Sequence, residues 1–217
     1  MTNSRVLIYT RDKNPIAEIV CRTSRTWVLN RANDQLGEAH LFISVNDPNL
    51  SENLIKYGNL LLISDQYLPY WGGVIDCPQN ESYDEIEVHA TSAEILLDDR
   101  TMYAFNHVDS DFGVFRNYIR YANSKVATGI DEGDIEDDDS KVAKQRGMSA
   151  LQIIQTLQER NHKDWGVSAD LDGQGLPDLR AWWKTKIGTD YSADVALVEG
   201  DNIELASQPI ISLQGRV

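Results

Sequence analysis

The sequence has 217 residues, 41% of them hydrophobic, and its formal net charge is −14 at pH 7. A chain of this length buries enough surface to fold without disulfides or metal, and so acidic a chain repels phosphate, which disfavours nucleic-acid binding as its function. The longest apolar runs, such as residues 6–9, have four residues, which excludes a membrane-spanning helix and predicts no membrane anchor. The N-terminus lacks a basic head and a long apolar segment, so we expect no secretory signal.

The charge is unevenly distributed along the chain. Residues 1–31 carry six basic and two acidic side chains, a net charge of +4, so the remainder carries −18. The basic segment is either a solvated strand face or a contact surface for an acidic neighbour, and the sequence leaves both interpretations open.

The first part of the chain has the pattern of antiparallel strands. Apolar side chains alternate over residues 6–10, and the turn at 12–15 joins them to a second strand at 16–23, which predicts a hairpin. Period-two alternation returns at residues 39–45 and 85–90, as expected for half-buried strands. Several such strands at short spacing indicate an antiparallel barrel or sandwich.

One connection between these strands carries a different pattern. Asp47-Pro48-Asn49 predicts a turn, and residues 50–57 after it predict a short helix that stops at Gly58.

A series of motifs in this region follows an order that resembles one protein family. The motifs are Trp27-x-Leu29, Leu36-Gly37-x-Ala39, Asp47-Pro48-Asn49, Trp71-Gly72-Gly73-x-Ile75 and Ala90-Thr91-Ser92. Their order is similar to that in the tail-hub proteins of long-tailed bacteriophages, which build the baseplate or tail tip, and in the related hubs of contractile injection-system spikes. The resemblance covers residues 5–100 and is looser for the remainder.

The resemblance implies a β-rich α+β fold. We expect an antiparallel, tube-like β-barrel domain at 1–100, with a short helix on one connection, followed by a smaller helix-containing α+β region at 101–194. Residues 195–217 are expected to form returning strands, the possible start of a second barrel.

The middle region contains two predicted helices. The first has a stripe of apolar residues at steps of three and four, namely Phe112, Phe115, Ile119, Ala122 and Val126. The second begins at a capping box, in which Ser149 is the N-cap and Gln152 follows three residues later.

Between these helices lies an acidic segment that we interpret as a mobile loop at 129–141. Residues 131–139 contain seven carboxylates and no basic residue, so the segment repels itself. A calcium site is the alternative, but the run lacks the alternating ligands, the fixed Gly and the distal Glu of an EF-hand loop.

The later part of the chain combines strand and turn signals. Residues 165–168 resemble a strand, residues 170–175 a turn, and residues 177–187 are compatible with either helix or strand. The last of these segments contains the pair Trp182-Trp183.

The sequence predicts no metal site, no cofactor and no catalytic residue. Cys21 and Cys77 lie on separate strand candidates and are interpreted as free buried thiols. The four histidines, His40, His89, His107 and His162, show no spacing typical of metal ligands. A Gly-x-Ser-x-Gly elbow and a phosphate-binding loop are absent from the sequence.

The family resemblance implies a structural component of a phage tail tip. It would be a baseplate hub that connects the tail tube to distal fibre or spike proteins, forms part of the DNA channel and is not an enzyme. Two alternatives stay open: a carbohydrate-binding module that stacks sugars on Trp182 and Trp183, and a cell-wall hydrolase that uses a carboxylate pair.

The partners expected from this resemblance are other copies of the chain in a ring, the tail tube or a distal tail protein, and fibre or spike proteins. We expect a trimer, whereas a chain with a single barrel would match the tube better with six copies. Viral DNA would pass the acidic surface without specific binding, and the protein would reside in the virion, at the tail tip, after assembly in the host cytoplasm. The residues that form these interfaces are unknown from the sequence.

Overall fold

The computed structural model describes residues 3–22, 27–29, 36–51, 53–65, 68–81, 84–98, 101–102, 114–125, 127–136, 147–161 and 163–185. All of them belong to one compact unit, Met1–Lys186. The predicted returning strands at 195–217 lie outside the described residues. The division into domains at residues 100 and 194 stays a prediction.

Strands dominate the described part of the chain, with two α-helices between the later strands. In chain order the elements are β1 (Asn3–Tyr9), β2 (Pro15–Arg22), β3 (Trp27–Leu29), β4 (Glu38–Ser44), β5 (Leu60–Asp65), β6 (Leu68–Glu81), β7 (Glu85–Ser92), a short 3-10 helix (Ala93–Leu97), β8 (Thr101–Met102), α1 (Val114–Lys125), β9 (Ile130–Ile135), β10 (Met148–Ser149), α2 (Ala150–Asn161), β11 (Asp164–Leu171) and β12 (Pro177–Lys184). Within the described ranges, the helices are too short and too polar to cross a membrane.

Strands β1 to β7 form one antiparallel sheet in the order β2-β1-β5-β6-β7-β4-β3. The sheet curls, and the Nδ2 atom of Asn49, in the turn after β4, donates to the carbonyl oxygen of Glu18 in β2 at 3.4 Å. Among the described residues, no ladder joins the end strands β2 and β3 to close the sheet into a barrel. The predicted β-rich α+β fold, with antiparallel sheets and two helices, is confirmed.

The curled sheet surrounds a first core on one of its faces. Its members come from six strands and one turn: Val6, Ile8, Ile19, Ala39, Leu41, Ile43, Leu54, Leu61, Ile63, Ile75, Ile86, Val88 and Ala90. Successive residues of a strand point to opposite faces, and Leu7, Tyr9, Leu60 and Leu62, which alternate with members of the first core, belong to a second core. Strands β1 and β5 are therefore buried on both faces.

The second core lies beneath a second layer, which contains α1, α2 and a three-stranded sheet. That sheet has the order β11-β12-β9, and β12 runs parallel to β9. The predicted stripe of α1 is confirmed at Phe115, Ile119 and Ala122, which are all buried in this core, whereas Phe112 and Val126 lie outside the described residues.

Glycines of the Trp-Gly-Gly motif allow the two layers to approach each other. A Cβ atom added at Gly72 would lie 2.7 Å from the Cβ of Ala169 in β11 and 3.1 Å from Cδ2 of Leu179 in β12. A Cβ added at Gly73 would overlap the ring of Trp71. The first glycine therefore makes room for the second layer, and the next makes room for the tryptophan.

The predicted capping box at the start of α2 is confirmed. The backbone N–H of Ser149 donates to Oε1 of Gln152 at 3.1 Å, and the backbone N–H of Gln152 donates to Oγ of Ser149 at 3.1 Å. Two backbone donors that the helix itself cannot satisfy are thus paired by side chains.

The prediction of a short helix at residues 50–57 is wrong, since the described residues there form turns. The N–H of Leu54 donates to the carbonyl oxygen of Ser51 at 3.0 Å. The side-chain amide of Asn59 donates to the carbonyls of Asn53, at 2.7 Å, and Leu54, at 3.1 Å, which a continuing helix would use for its own bonds.

The prediction of an acidic loop at 129–141 is also wrong for its first half. Residues Ile130–Ile135 form β9, which pairs with β12. Residues 137–141 lie outside the described part of the chain. The segment at 177–187, which the sequence left open, forms the strand Pro177–Lys184.

Candidate functional site

The β4–β7 ladder presents a polar face on the side of the sheet opposite the first core. In both strands buried residues alternate with half-buried ones, because the first core covers only one face. On this face, the side chains of His40, Glu87 and His89 contact one another instead of only solvent. The register places His40 directly opposite His89, and Glu87 precedes His89 by two residues on the same strand.

The three side chains of this His40–Glu87–His89 cluster converge on one oxygen atom. Oε1 of Glu87 lies 2.9 Å from Nδ1 of His40 and 2.9 Å from Nε2 of His89. The two imidazole rings are tilted by 47°, with centroids 3.8 Å apart. The carboxylate accepts an N–H from each ring whose facing nitrogen is protonated.

These ligand atoms also form a set that could hold a metal ion. They lie within 4.8 Å of one another, and no other group of three or more His, Cys, Asp or Glu with such spacing occurs among the described residues. Two imidazoles and one carboxylate are typical ligands of zinc. The cluster is half-buried, with 17% to 22% of each side chain exposed.

The cluster was not predicted, because its ligands do not lie close together along the chain. His40 and His89 come from strands that are separated by two others in sequence. The detectable signal was Glu87-x-His89, which places a carboxylate and an imidazole on the same face of a strand. The third member required the pairing of β4 with β7, which local periodicity does not give. The cysteines lie in β2 and β6, on separate strands as predicted, and the state of their thiols stays a prediction.

Two carboxylates of β9 are paired with basic residues from other elements. Glu132 forms ion pairs with Arg116 and Arg120 of α1. Asp134 pairs with Lys184 of β12 at 2.6 Å. These two carboxylates therefore bind β9 to α1 and β12. A local count of charges predicted a loop because it does not include these distant basic partners.

Glu136, directly after β9, is bound by Thr185, the residue that follows β12. Its Oε2 accepts the hydroxyl of Thr185 at 2.7 Å and the backbone N–H of Thr185 at 2.8 Å. Lys163 lies 3.5 Å from the same oxygen. These bonds, chiefly those of Thr185, lower the pKa of Glu136.

Paired stacking of a sugar on Trp182 and Trp183 is not possible in this fold. The two residues follow one another in β12, so their side chains point to opposite faces. Trp183 is fully buried and stacks on Phe115, with ring centroids 4.9 Å apart. Trp182 covers Gly166, where an added Cβ would lie 2.7 Å from the indole ring. Both tryptophans pack against the protein itself.

The Asp-x-Asp-Gly turn between β11 and β12 is stabilised by its own backbone. Oδ1 of Asp172 accepts the N–H groups of Gln174, at 2.8 Å, and Leu176, at 2.9 Å. These hydrogen bonds lower the pKa of Asp172, and the bond from Leu176 has the largest effect. The hydroxyl of Tyr9 donates to the carbonyl of Gly175 at 3.0 Å, which attaches the turn to β1.

The basic N-terminal segment is partly neutralised within its own hairpin. Arg5 in β1 forms a two-pronged ion pair with Glu18 in β2, with Nε–Oε1 and Nη2–Oε2 distances of 2.6 and 2.9 Å. This hydrogen-bonded pair lowers the pKa of the Glu18 carboxyl. Arg25 and Arg31 lie outside the described residues.

The sequence matches no protein-family model, and no curated protein matches it. Solved structures do resemble its fold. The 43 kDa tail protein of prophage MuSo2 from Shewanella oneidensis is 11% identical, with a TM-score of 0.50 over 83% of this chain and 55% of that chain. The tail protein from Neisseria meningitidis MC58 is 11% identical, with a TM-score of 0.49 over 87% of this chain and 52% of that one.

The prophage tail protein gp18 from Listeria monocytogenes EGD-e is 12% identical, with a TM-score of 0.48 over 82% of this chain and 50% of that chain. The chain thus spans about half the length of these solved proteins, with 50% to 55% of each covered. At such low identity the likeness concerns the fold, and the chain shares the fold of the Shewanella prophage tail protein.

Proposed function

We propose that this chain is a structural, non-enzymatic component of a bacteriophage tail, the hub at the tail tip. The observation that supports this role best is the fold likeness to the Shewanella prophage tail protein, which extends over 83% of the chain. The hub would connect the tail tube to distal fibre or spike proteins.

In this role the protein works as a ring of identical subunits, and we propose three copies. A closed ring brings two different surfaces of neighbouring subunits together. The contrast between the +4 of residues 1–31 and the −18 of the remainder suits such a contact. Arg5 pairs with Glu18 within its own hairpin. We propose Arg25 and Arg31, from their charge in the sequence alone, for the contact with a neighbour.

The acidic surplus suits a wall along which DNA passes. Like charge keeps a duplex from adsorbing, over a range of about 8 Å at physiological salt. Glu132 and Asp134 are paired with Arg120 and Lys184, so we assign the repulsion to the other acidic residues of the chain.

The mass of the full chain in solution and its place in the virion test this proposal. Three copies of the 24.5 kDa chain give about 73.5 kDa, and six copies give about 147 kDa, which light scattering after size exclusion distinguishes. Cryo-electron microscopy of tails from a phage that encodes the chain would show three-fold density for it at the tail tip. Six-fold density would favour a tube adaptor instead, and absence of the protein from purified virions would contradict both roles.

The charge contact has its own control. Replacement of Arg25 and Arg31 by Gln should weaken the ring and make its assembly less sensitive to salt, whereas Arg5→Gln should leave the ring intact. A ring that responds equally to both changes would contradict the proposed contact.

A further inference from the structure

We infer that the His40–Glu87–His89 cluster binds one zinc ion between β4 and β7. This inference stands independently of the proposed role in a phage tail, because it rests on the geometry of the ladder alone.

The distances within the cluster are close to those around a bound zinc ion. Ligand atoms about 2.1 Å from a tetrahedral zinc lie about 3.4 Å from one another. In the cluster each nitrogen is 2.9 Å from the carboxylate oxygen. The two ring nitrogens lie within 4.8 Å of each other. Movements of about half an ångström at the two contacts with Glu87, and of at most about 1.4 Å between the nitrogens, therefore give the spacing of zinc ligands.

The chemistry of the three side chains selects the kind of ion. Two imidazole nitrogens and one carboxylate oxygen suit zinc and similar transition metals, whereas calcium and magnesium prefer oxygen ligands alone. Zinc would take the place of the protons that the rings share with Glu87. Since about a fifth of each side chain is exposed, water can supply the fourth ligand.

The backbone beneath the cluster holds the ligands in place. Leu41 and Val88, which are Cα partners across the same ladder, are fully buried in the first core. Their neighbours His40 and His89 are therefore fixed at one register, directly opposite each other. Little backbone freedom is lost when an ion binds to ligands that are already positioned.

Calorimetric titration of the metal-free full chain with zinc chloride tests the site. We expect one zinc per chain, no comparable binding of magnesium or calcium, and a rise in Tm of about 5–10 °C at zinc concentrations 100-fold above Kd. Glu87→Gln and His89→Gln should each weaken binding by at least about tenfold. The matched control is Glu85→Gln, which removes a half-buried carboxylate from the same face of β7 and should leave binding unchanged.

Nitrogen NMR of the histidine rings provides a readout that needs no variant. Zinc should shift the resonances of Nδ1 of His40 and Nε2 of His89, the two nitrogens that face Glu87. Zinc binding that persists in Glu87→Gln and His89→Gln, or that leaves both ring nitrogens unshifted, would overturn the assignment. Absence of binding to the wild-type chain would show that the cluster is only a hydrogen-bonded network.

Discussion

Strands β1 and β5 and the ladder of β4 with β7 belong to one sheet but are buried in different ways. Along β1 and β5 every described side chain from residues 6–9 and 60–63 is buried, because the first core lies on one face and the second core on the other. Along β4 and β7 only alternate residues are buried.

The apolar pattern of the sequence differs between the two regions, in agreement with their burial. The covered strands contain the uninterrupted runs Val-Leu-Ile-Tyr and Leu-Leu-Leu-Ile, whereas the other ladder alternates, as in Glu-Ile-Glu-Val-His-Ala. A strand buried on both faces needs no polar residue. The half-covered ladder can therefore place polar, titratable side chains on its open face, whereas the covered stretches of β1 and β5 cannot. The histidine cluster lies on that open face.

The strongest way to disrupt the covered region is to remove the side chain that anchors the second layer. Trp183→Ala should lower the free energy of unfolding by about 3–5 kcal/mol, because a fully buried indole stacked on Phe115 would be lost. Trp182→Ala, next to it on the opposite face, should have a clearly smaller effect, since that ring is half-buried. Urea unfolding measures both, and equal losses would contradict this account of β12.

Neighbouring residues in β5 and β4 test the comparison directly. Leu61→Ala and Leu62→Ala should each destabilise the protein by about 2–5 kcal/mol, because both faces of β5 are buried. In β4, Leu41→Ala should have an effect of the same size, but Phe42→Ala should lose about 1 kcal/mol or less, since Phe42 lies on the half-buried face. A large loss for Phe42→Ala in chemical unfolding would show that this face is covered too.

A smaller change tests how closely the second layer approaches the sheet. Gly72→Ala should lower the free energy of unfolding by about 1–3 kcal/mol, because the new Cβ would lie 2.7 Å from that of Ala169. Gly173→Ala is the matched control, since an added Cβ there meets nothing within 4 Å. Thermal unfolding of the two variants should separate them, and equal Tm values would contradict the close contact.

The smallest effect concerns the carboxyl of Glu136 at the edge of the second layer. Because its pKa is lowered in the folded chain, the stabilisation is present above the ordinary carboxyl pKa of about 4 and is lost as the pH falls through the lowered value. Thr185→Val should move the pKa back toward its ordinary value, as the hydroxyl bond is removed. NMR titration measures this, with Thr156→Val as a control whose hydroxyl bonds within α2; an unchanged pKa in Thr185→Val would contradict the assigned cause.

Local signals predicted the parts of this fold whose causes are local. The reciprocal bonds of Ser149 and Gln152 depend on four consecutive residues, so the capping box was recognisable in the sequence. The strands β4 and β7 were predicted from alternation, which reports the burial of a single strand. The signal failed at residues 50–57, where the side chain of Asn59 competes for the backbone carbonyls.

Features that depend on pairing between distant segments could not be derived in this way. The ion pairs of Glu132 and Asp134 need partners from α1 and β12, and the histidine cluster needs the register of β4 on β7. The interpretation of Trp182 and Trp183 as one platform treated neighbours in sequence as neighbours in space. A strand places such neighbours on opposite faces.

The pairing of β1 with β5 has a consequence for synthesis on the ribosome. Tyr9 pairs with Pro15 across the hairpin and with Leu60 across the other edge of β1. The hairpin can close as soon as it emerges, whereas the other edge of its apolar strand stays unpaired until β5 has been made. During that interval the nascent chain exposes a strand edge that another chain can pair with. We therefore expect the period of greatest vulnerability to aggregation to end when β5 docks on β1.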